Sequence, residues 1–401
     1  MNRAEKKTAI VSCYFQPNYG SMLQALATQM ALDRLGLDNE TICVEGLQGT
    51  IRQRKLLYFT KAALTSDILL SKAGMASARL RRMIPGSTYR KMLQARRKAF
   101  QEFRDRYFRL SDCCSTREEL QKACAEKYSA VLVGSDQLWL PANIAADYYT
   151  LSFVPEGINT IAYATSFGQS DLPRDIRKKA AGFLPAIRHI SVREKSGQRL
   201  VKKLCGRRVP IVADPTLLFT GEEWDCALRD GPAAEGRYIF CYFLGNNPEH
   251  REFASRLSGA TGARIIALTH VDEYVRSDNG YADEAPWDTG PSEFLDLIRN
   301  AEWVCTDSYH CTVFSMLFRR RFFTFRRYSR KTIQSTNSRL DTLLEQCGLT
   351  DRILTGTEDI SVCKSRVIDY SAVYRRIDKL RKYSWQYLRD ALEDKKKTDL
   401  V

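Results

Sequence analysis

Thr306-Asp307-Ser308-Tyr309-His310-Cys311 sets an imidazole among polar side chains, directly after the apolar run Trp303 to Cys305 and directly before another apolar stretch. A histidine there can donate or accept a proton near neutral pH, because its unperturbed pKa is about 6.5. A helix starting behind it would add unpaired N–H groups and a positive dipole end, both suited to an anion. The competing reading is an imidazole that is only hydrogen-bonded beneath a loop; the chain has four histidines.

Three further junctions pair an apolar run with polar groups. In Gln16-Pro17-Asn18-Tyr19-Gly20-Ser21, Gly20 permits a tight turn ahead of a helix beginning near Ser21, although one glycine is far less than a phosphate-loop motif. Val133-Gly134-Ser135-Asp136-Gln137 offers Asp136 either as a base or as a turn and capping residue. Ile190-Ser191-Val192-Arg193-Glu194 ends on a guanidinium fit for bidentate carboxylate or phosphate recognition, or for a salt bridge to Glu194.

The elements that must position these residues alternate. Strands are expected at Thr8–Tyr14, Glu40–Val44, Ala130–Val133, Thr160–Ala164, His189–Val192 and Val209–Val212, with a helix from Ser21 to Leu35. A second series follows the Gly-, Ala- and Pro-rich stretch Asp230–Gly236: strands Tyr238–Phe243, Arg264–Leu268, Glu302–Cys305 and Phe322–Phe325, and helices near Glu249–Ser258, Pro291–Arg299 and Cys311–Phe318. The order predicts an α/β fold with two Rossmann-like domains facing a cleft. Residues 1–228 form the N-terminal domain, 237–365 the C-terminal domain, and a helix within 366–401 packs back on the first.

At 401 residues the chain suits two domains. It has no apolar run of the roughly 18 residues a spanning helix needs, and Thr8–Phe15 is too short for a signal peptide, so a cytoplasmic protein is expected. The twelve cysteines form no C-x-x-C pair and are read as buried small hydrophobes or free thiols, with no metal site. The net charge of +15 is concentrated: residues 51–110 hold 16 basic and 3 acidic side chains, a net of +13. There Arg79, Arg81, Arg82, Arg90, Lys91, Arg96, Arg97, Lys98, Arg104 and Arg106 interleave with apolar residues, as in amphipathic helices with a cationic face. That basic helical insertion is either a solvated face, a contact for anionic lipid head groups or a pyrophosphate-linked acceptor, or a nucleic-acid surface; no nucleic-acid motif accompanies it.

Six ordered segments resemble the polysaccharide pyruvyl transferase family: Asn18-Tyr19-Gly20-Ser21 with Leu23-Gln24-Ala25, Val133-Gly134-Ser135-Asp136-Gln137 with Trp139, Tyr163-Ala164-Thr165-Ser166-Phe167-Gly168, Ser191-Val192-Arg193-Glu194, Asp214-Pro215-Thr216-Leu217-Leu218 and Thr306-Asp307-Ser308-Tyr309-His310. The resemblance implies a GT-B-like fold, phosphoenolpyruvate as donor in the cleft, a sugar or lipid-linked oligosaccharide as acceptor, and a cyclic pyruvate ketal as product. It implies His310 as acid or phosphate anchor and Arg193 as the separate donor-binding arginine. Ser308 stands where the family's Arg-x-His triplet has arginine, so Arg326 or Arg339 is expected to supply the missing charge. Thr306, Ser308 and Cys311 would complete the donor side, Cys311 replacing a usual glycine. Asp136 would be the base, and Asn18, Tyr19, Gly20 and Gln24 would face the acceptor. No cofactor beyond the co-substrate phosphoenolpyruvate and no metal are expected, nor is nucleic acid; peripheral contact with an anionic inner membrane face is. Two alternatives remain, a GT-B-like glycosyltransferase using a nucleotide sugar and a non-catalytic glycan- or nucleic-acid-binding protein.

Overall fold

A computed structural model of the protein describes residues 6–62, 88–228, 236–271, 274–327 and 337–394. In chain order the elements used below are β1 (Lys7–Val11), α1 (Tyr19–Arg34), β2 (Asn39–Thr41), α2 (Gln48–Ala62), α3 (Thr88–Tyr107), β3 (Tyr128–Val133), β4 (Asn159–Ala162), β5 (His189–Ile190), β6 (Tyr238–Tyr242) and β7 (Arg264–Ala267). They continue with α4 (Pro291–Arg299), β8 (Trp303–Thr306), α5 (Tyr309–Leu317), β9 (Arg321–Phe325), α6 (Ser338–Cys347), β10 (Ile353–Leu354) and α7 (Tyr370–Leu392).

Two five-stranded sheets form, ordered β2-β1-β3-β4-β5 and β10-β9-β8-β6-β7, and every strand pair is parallel. Parallel strands covered on both faces read as continuous apolar runs, which is why Tyr-Ile-Phe-Cys-Tyr of β6 is buried throughout. The order has a direct consequence. In each sheet the first strand is flanked on one side by the next strand in sequence and on the other by a later one, so the topology switches between β1 and β3 and between β6 and β8. Ligands in open α/β sheets bind outside the carboxyl ends of strands at such points.

The domains meet on aromatic packing around Tyr19. Its ring stacks on Phe294 of α4 at 4.5 Å and 7°, meets Phe100 of α3 at 4.9 Å, and sits edge-on to Tyr242 at 5.5 Å. Its hydroxyl donates to the Thr289 carbonyl at 3.0 Å. Helix α3 is therefore an interdomain wedge. Arg96, counted above on the cationic face, is buried there and donates to the Thr269 carbonyl at 3.4 Å. Helix α7 lies against the first sheet's side: Asn159 donates to the Ala391 carbonyl at 2.7 Å and the Ala213 amide to Ser384 Oγ at 2.8 Å.

Several expectations need correction. Val209–Val212 makes only one bridge, Ile211 to Val192, because Pro210 lacks an N–H and the Asp214-Pro215 turn follows at once. The two-residue β10 was not anticipated; so short a run carries no periodicity. Two cysteines are not free: Cys43 and Cys113 form a disulfide with Cα atoms 4.9 Å apart. Residues 109–111 return beside β2, where the Thr41 amide donates to Arg109 O at 2.7 Å and the Ser111 amide to Thr41 O at 2.9 Å. That pairing aligns two thiols 70 residues apart, a relation no local spacing reveals. Arg79, Arg81, Arg82 and most of the 230–236 linker lie outside the described residues.

Tyr19→Ala is expected to cost about 3–5 kcal/mol, the usual penalty for removing a buried aromatic ring, whereas Tyr19→Phe loses only one hydrogen bond, about 1 kcal/mol. Urea denaturation of the two variants measures both.

Candidate active site

Four loops at the two switch points face one another: Ser12–Asn18 after β1, Gly134–Gln137 after β3, the turn after β6, and Asp307–Ser308 after β8. His310, in the first turn of α5, comes from the second domain and lies against the first. A Cβ added to Gly20 would sit 2.1 Å from His310 Nδ1 and 2.6 Å from its Cγ. Gly20 is thus the seat of the imidazole.

Arg193 is the hub of the site, with a side chain that is fully buried. Its Nη1 donates to Asp214 Oδ2 at 2.7 Å and to Ser135 Oγ at 3.3 Å, and its Nη2 to Asp136 Oδ1 at 3.2 Å. Its Nε lies 3.9 Å from Glu194 Oε2 without making a hydrogen bond. Ser135 Oγ also donates to Asp214 Oδ2 at 2.7 Å, and Thr216 caps the other carboxylate oxygen through its amide and hydroxyl. His310 Nε2 approaches Asp214 Oδ2 at 3.4 Å, an ion pair whenever the imidazole is protonated. Ser21 Oγ donates to Asp136 Oδ2, while Asp136 itself takes a left-handed backbone, φ 81°. A non-glycine residue in that region is held there against its preference.

Burial alone would raise both carboxyl pKa values. For Asp214 the close approach of His310, the charge of Arg193 and the Thr216 hydroxyl outweigh burial and hold it far below the usual range. For Asp136, Arg193, His310 and the Ser21 hydroxyl also outweigh burial and lower it. Glu194 goes the other way: burial dominates and raises it, despite Arg193, Arg339 and Ser166.

A second cationic group lies on the C-terminal side. Arg339 of α6 is nearly buried, and burial first, then the like charge of Arg193, lower its pKa to about 9. With its amide turned to face the guanidinium, Gln137 accepts from Arg339 Nη2 at 2.7 Å and Nε at 3.3 Å. The Tyr309 ring lies between the two arginines, 4.6 Å from the Arg193 guanidinium and 5.8 Å from that of Arg339. Tyr309, Arg339, Arg327, Asp307 and Asn337 line a small cavity of about 10 Å³, space for about one water. A larger concavity of about 720 Å³ lies at the amino ends of β4 and β5, lined by Val154, Ile158, Phe183 and Arg188, away from these charges.

The structure thus brings together His310, Asp136, Arg193 and Arg339. Arg326 instead turns outward to Asp341, at 3.1 and 2.8 Å. Thr306 and Ser308 build the loop: Thr306 Oγ1 donates to the Tyr242 carbonyl at 2.6 Å, and Ser308 caps α5 by accepting from the Cys311 amide at 3.4 Å. Cys311 is buried inside that turn, with its thiol pushed up by burial. Asn18 caps α1, accepting from the Ser21 amide at 3.1 Å; Tyr19 is the interdomain ring; Gln24 is buried and donates to the Ser21 carbonyl at 2.9 Å. These residues, with Gly20, shape the site from beneath. Asp214 and Tyr309, which the sequence offers only within longer segments, and Arg327 carry no role that the sequence alone assigns. Arg327 follows Arg326 at the end of β9 and so points to the opposite side, where its Nη2 donates to the Asp307 carbonyl at 3.3 Å.

A family model described as polysaccharide pyruvyl transferase matches residues 18–329, so the chain belongs to the polysaccharide pyruvyl transferase family. No curated protein matches it. Similar solved structures include Staphylococcus aureus MnaA with UDP, 12% identical over 99% of this chain and 100% of that one, TM-score 0.49. Another is the Methanocaldococcus jannaschii UDP-GlcNAc 2-epimerase with UDP-GlcNAc and UDP, 12% identical over 96% and 99%, TM-score 0.49. A third is the Escherichia coli heptosyltransferase WaaC with ADP-2-deoxy-2-fluoro heptose, 15% identical over 85% and 99%, TM-score 0.37.

Gly20→Ala is expected to expel His310 and to lower activity about as far as His310→Ala does, with an unchanged circular dichroism spectrum. Asp214→Asn leaves Arg193 under-compensated and should cost about 3–5 kcal/mol at neutral pH. Because the folded pKa of Asp214 is depressed, its stabilisation is full above the unfolded value, about 3.9, and is lost as pH falls toward the folded one. The variant's stability should therefore fall less steeply on acidification than the wild type's, as read by thermal melts from pH 7 to pH 3.

Proposed function

We propose that the protein transfers the pyruvyl group of phosphoenolpyruvate to two hydroxyls of a sugar, in a surface polysaccharide or its lipid-linked precursor, as a cyclic ketal. The observation that carries this reading is the convergence of His310, Asp136 and the under-compensated Arg339 at facing strand ends. A buried guanidinium beside another cation is stabilised by an arriving anion, so Arg339, with Arg327 on the same small cavity, is the anchor toward which the donor's phosphate or carboxylate would be drawn. In this scheme Arg193 is the positioning residue, since its charge is already taken by Asp214 and Asp136.

The imidazolium of His310 protonates the methylene carbon, leaving the central carbon cation-like. A sugar hydroxyl attacks that carbon while Asp136, held ionised, takes its proton. Phosphate then departs with the C–O electron pair, and the second hydroxyl closes the ketal. Of the two hydroxyl protons released, one replaces that given to carbon and the other leaves with phosphate.

One observation favours a different donor, namely Ser308 in the place of the family's arginine; the second reading is a GT-B-like transferase using a nucleotide sugar. The deciding experiment incubates the protein with phosphoenolpyruvate, or with nucleotide sugars, and a panel of sugar and lipid-linked acceptors, following phosphate or nucleotide release. Acceptor-dependent phosphate release is expected, reduced on the order of 10²-fold or more by His310→Ala. Turnover with a nucleotide sugar alone would overturn the reading. Arg339→Met should weaken phosphoenolpyruvate binding at least tenfold by calorimetry while the melting midpoint stays level or rises, because a costly buried charge is gone.

A further inference from the structure

Among the described residues six large hydrophobic side chains are exposed, and three of them fall within four positions of one helix: Leu56, Leu57 and Phe59 of α2, at 64, 54 and 42% exposure. At 100° per residue they share one face with Arg52 and Thr60, and Lys61 lies at its margin. The helix carries Arg52, Arg54, Lys55 and Lys61 and no acidic residue. Its opposite face is committed: Ile51 is buried, and Arg54 donates to the Ala146 carbonyl at 3.4 Å and pairs with Asp147 at 3.8 Å. Lys55 is half-buried and lies in the field of Cys13, which belongs to the loop after β1, so the helix sits on the first-domain side of the candidate site.

Exposed leucines and a phenylalanine whose charged neighbours on the helix are all cations are costly in water and well suited to a head-group layer, where apolar side chains enter the acyl boundary and cations meet anionic lipid. We propose that the outer face of α2 docks on an anionic bilayer surface. The wedge helix α3 is unsuited to such docking, because Arg96 is buried and Lys98 is paired with Glu102 at 3.6 Å. Docking through α2 would hold the site's first-domain side at the membrane, where a lipid-linked sugar resides, but the docking stands apart from the proposed reaction and is tested without substrate.

The test is sedimentation of the full chain with vesicles of phosphatidylglycerol and phosphatidylcholine, and with phosphatidylcholine alone. Binding to the anionic vesicles is expected, weakening as salt shortens the Debye length, and falling at least tenfold in the triple variant Leu56→Ser, Leu57→Ser, Phe59→Ser. Wild-type protein that stays in the supernatant, or a variant that sediments equally, overturns the proposal. A second measurement separates another occupant. Leu56→Cys should react quickly with a water-soluble maleimide in free protein and be shielded by anionic vesicles, both read by peptide mass spectrometry. Slow labelling before any vesicle is added would mean that another part of this chain covers the face, which also overturns it.

Discussion

A guanidinium removed from water must find its counter-charges in the protein, and Arg193 finds them on two strands' loops at once. Asp214 and Asp136 neutralise it from either side, and each carboxylate is fixed further by hydroxyls of Thr216, Ser135 and Ser21. Unpaired, such a charge would cost several kcal/mol. The network therefore sets the positions of the loops after β3 and β5 and of the Asp214 turn relative to one another. It also explains the unusual backbone of Asp136, which is pinned by Arg193 on one oxygen and Ser21 on the other.

The network ends in the first domain, and the second meets it at the start of α5, with Arg339 of α6 alongside. Asp307 holds the turn after β6 by accepting from the Leu244 and Gly245 amides at 2.7 and 2.8 Å, and it fixes the loop from which α5 departs. Ser308 then caps the helix, and the next two residues do the contacting: Tyr309 between two arginines, His310 against Gly20. Aromatic packing of Tyr19 with Phe294 and Phe100 supports the same junction.

What the sequence disclosed follows from the kind of signal each residue leaves. Asp136, Arg193 and His310 each interrupt an apolar run with a polar group, and the parallel-sheet pattern places all three at strand ends. The two-domain architecture was legible for the same reason. Asp214 looks like part of an Asp-Pro turn, and only its partner across the fold reveals it as a counter-charge. Gly20 reads as a turn glycine, yet its strictest constraint is a ring arriving from position 310. Arg96 sits within a basic tract and reads as solvated, although the second domain covers it. The Cys43–Cys113 bond depends on a return strand that leaves no local pattern. In each case the missed information is a contact between distant segments.

The contact between Gly20 and His310 makes the reactive apparatus an interlock. His310 is carried by one domain, and its docking notch at Gly20, together with Asp136, by the other. Any motion that parts the domains withdraws the imidazole from the notch and from the carboxylates in the same movement. In the proposed reaction, a donor held on the second domain alone would then face water without His310 positioned against it, and wasteful hydrolysis would be slowed by the same joint that assembles the site.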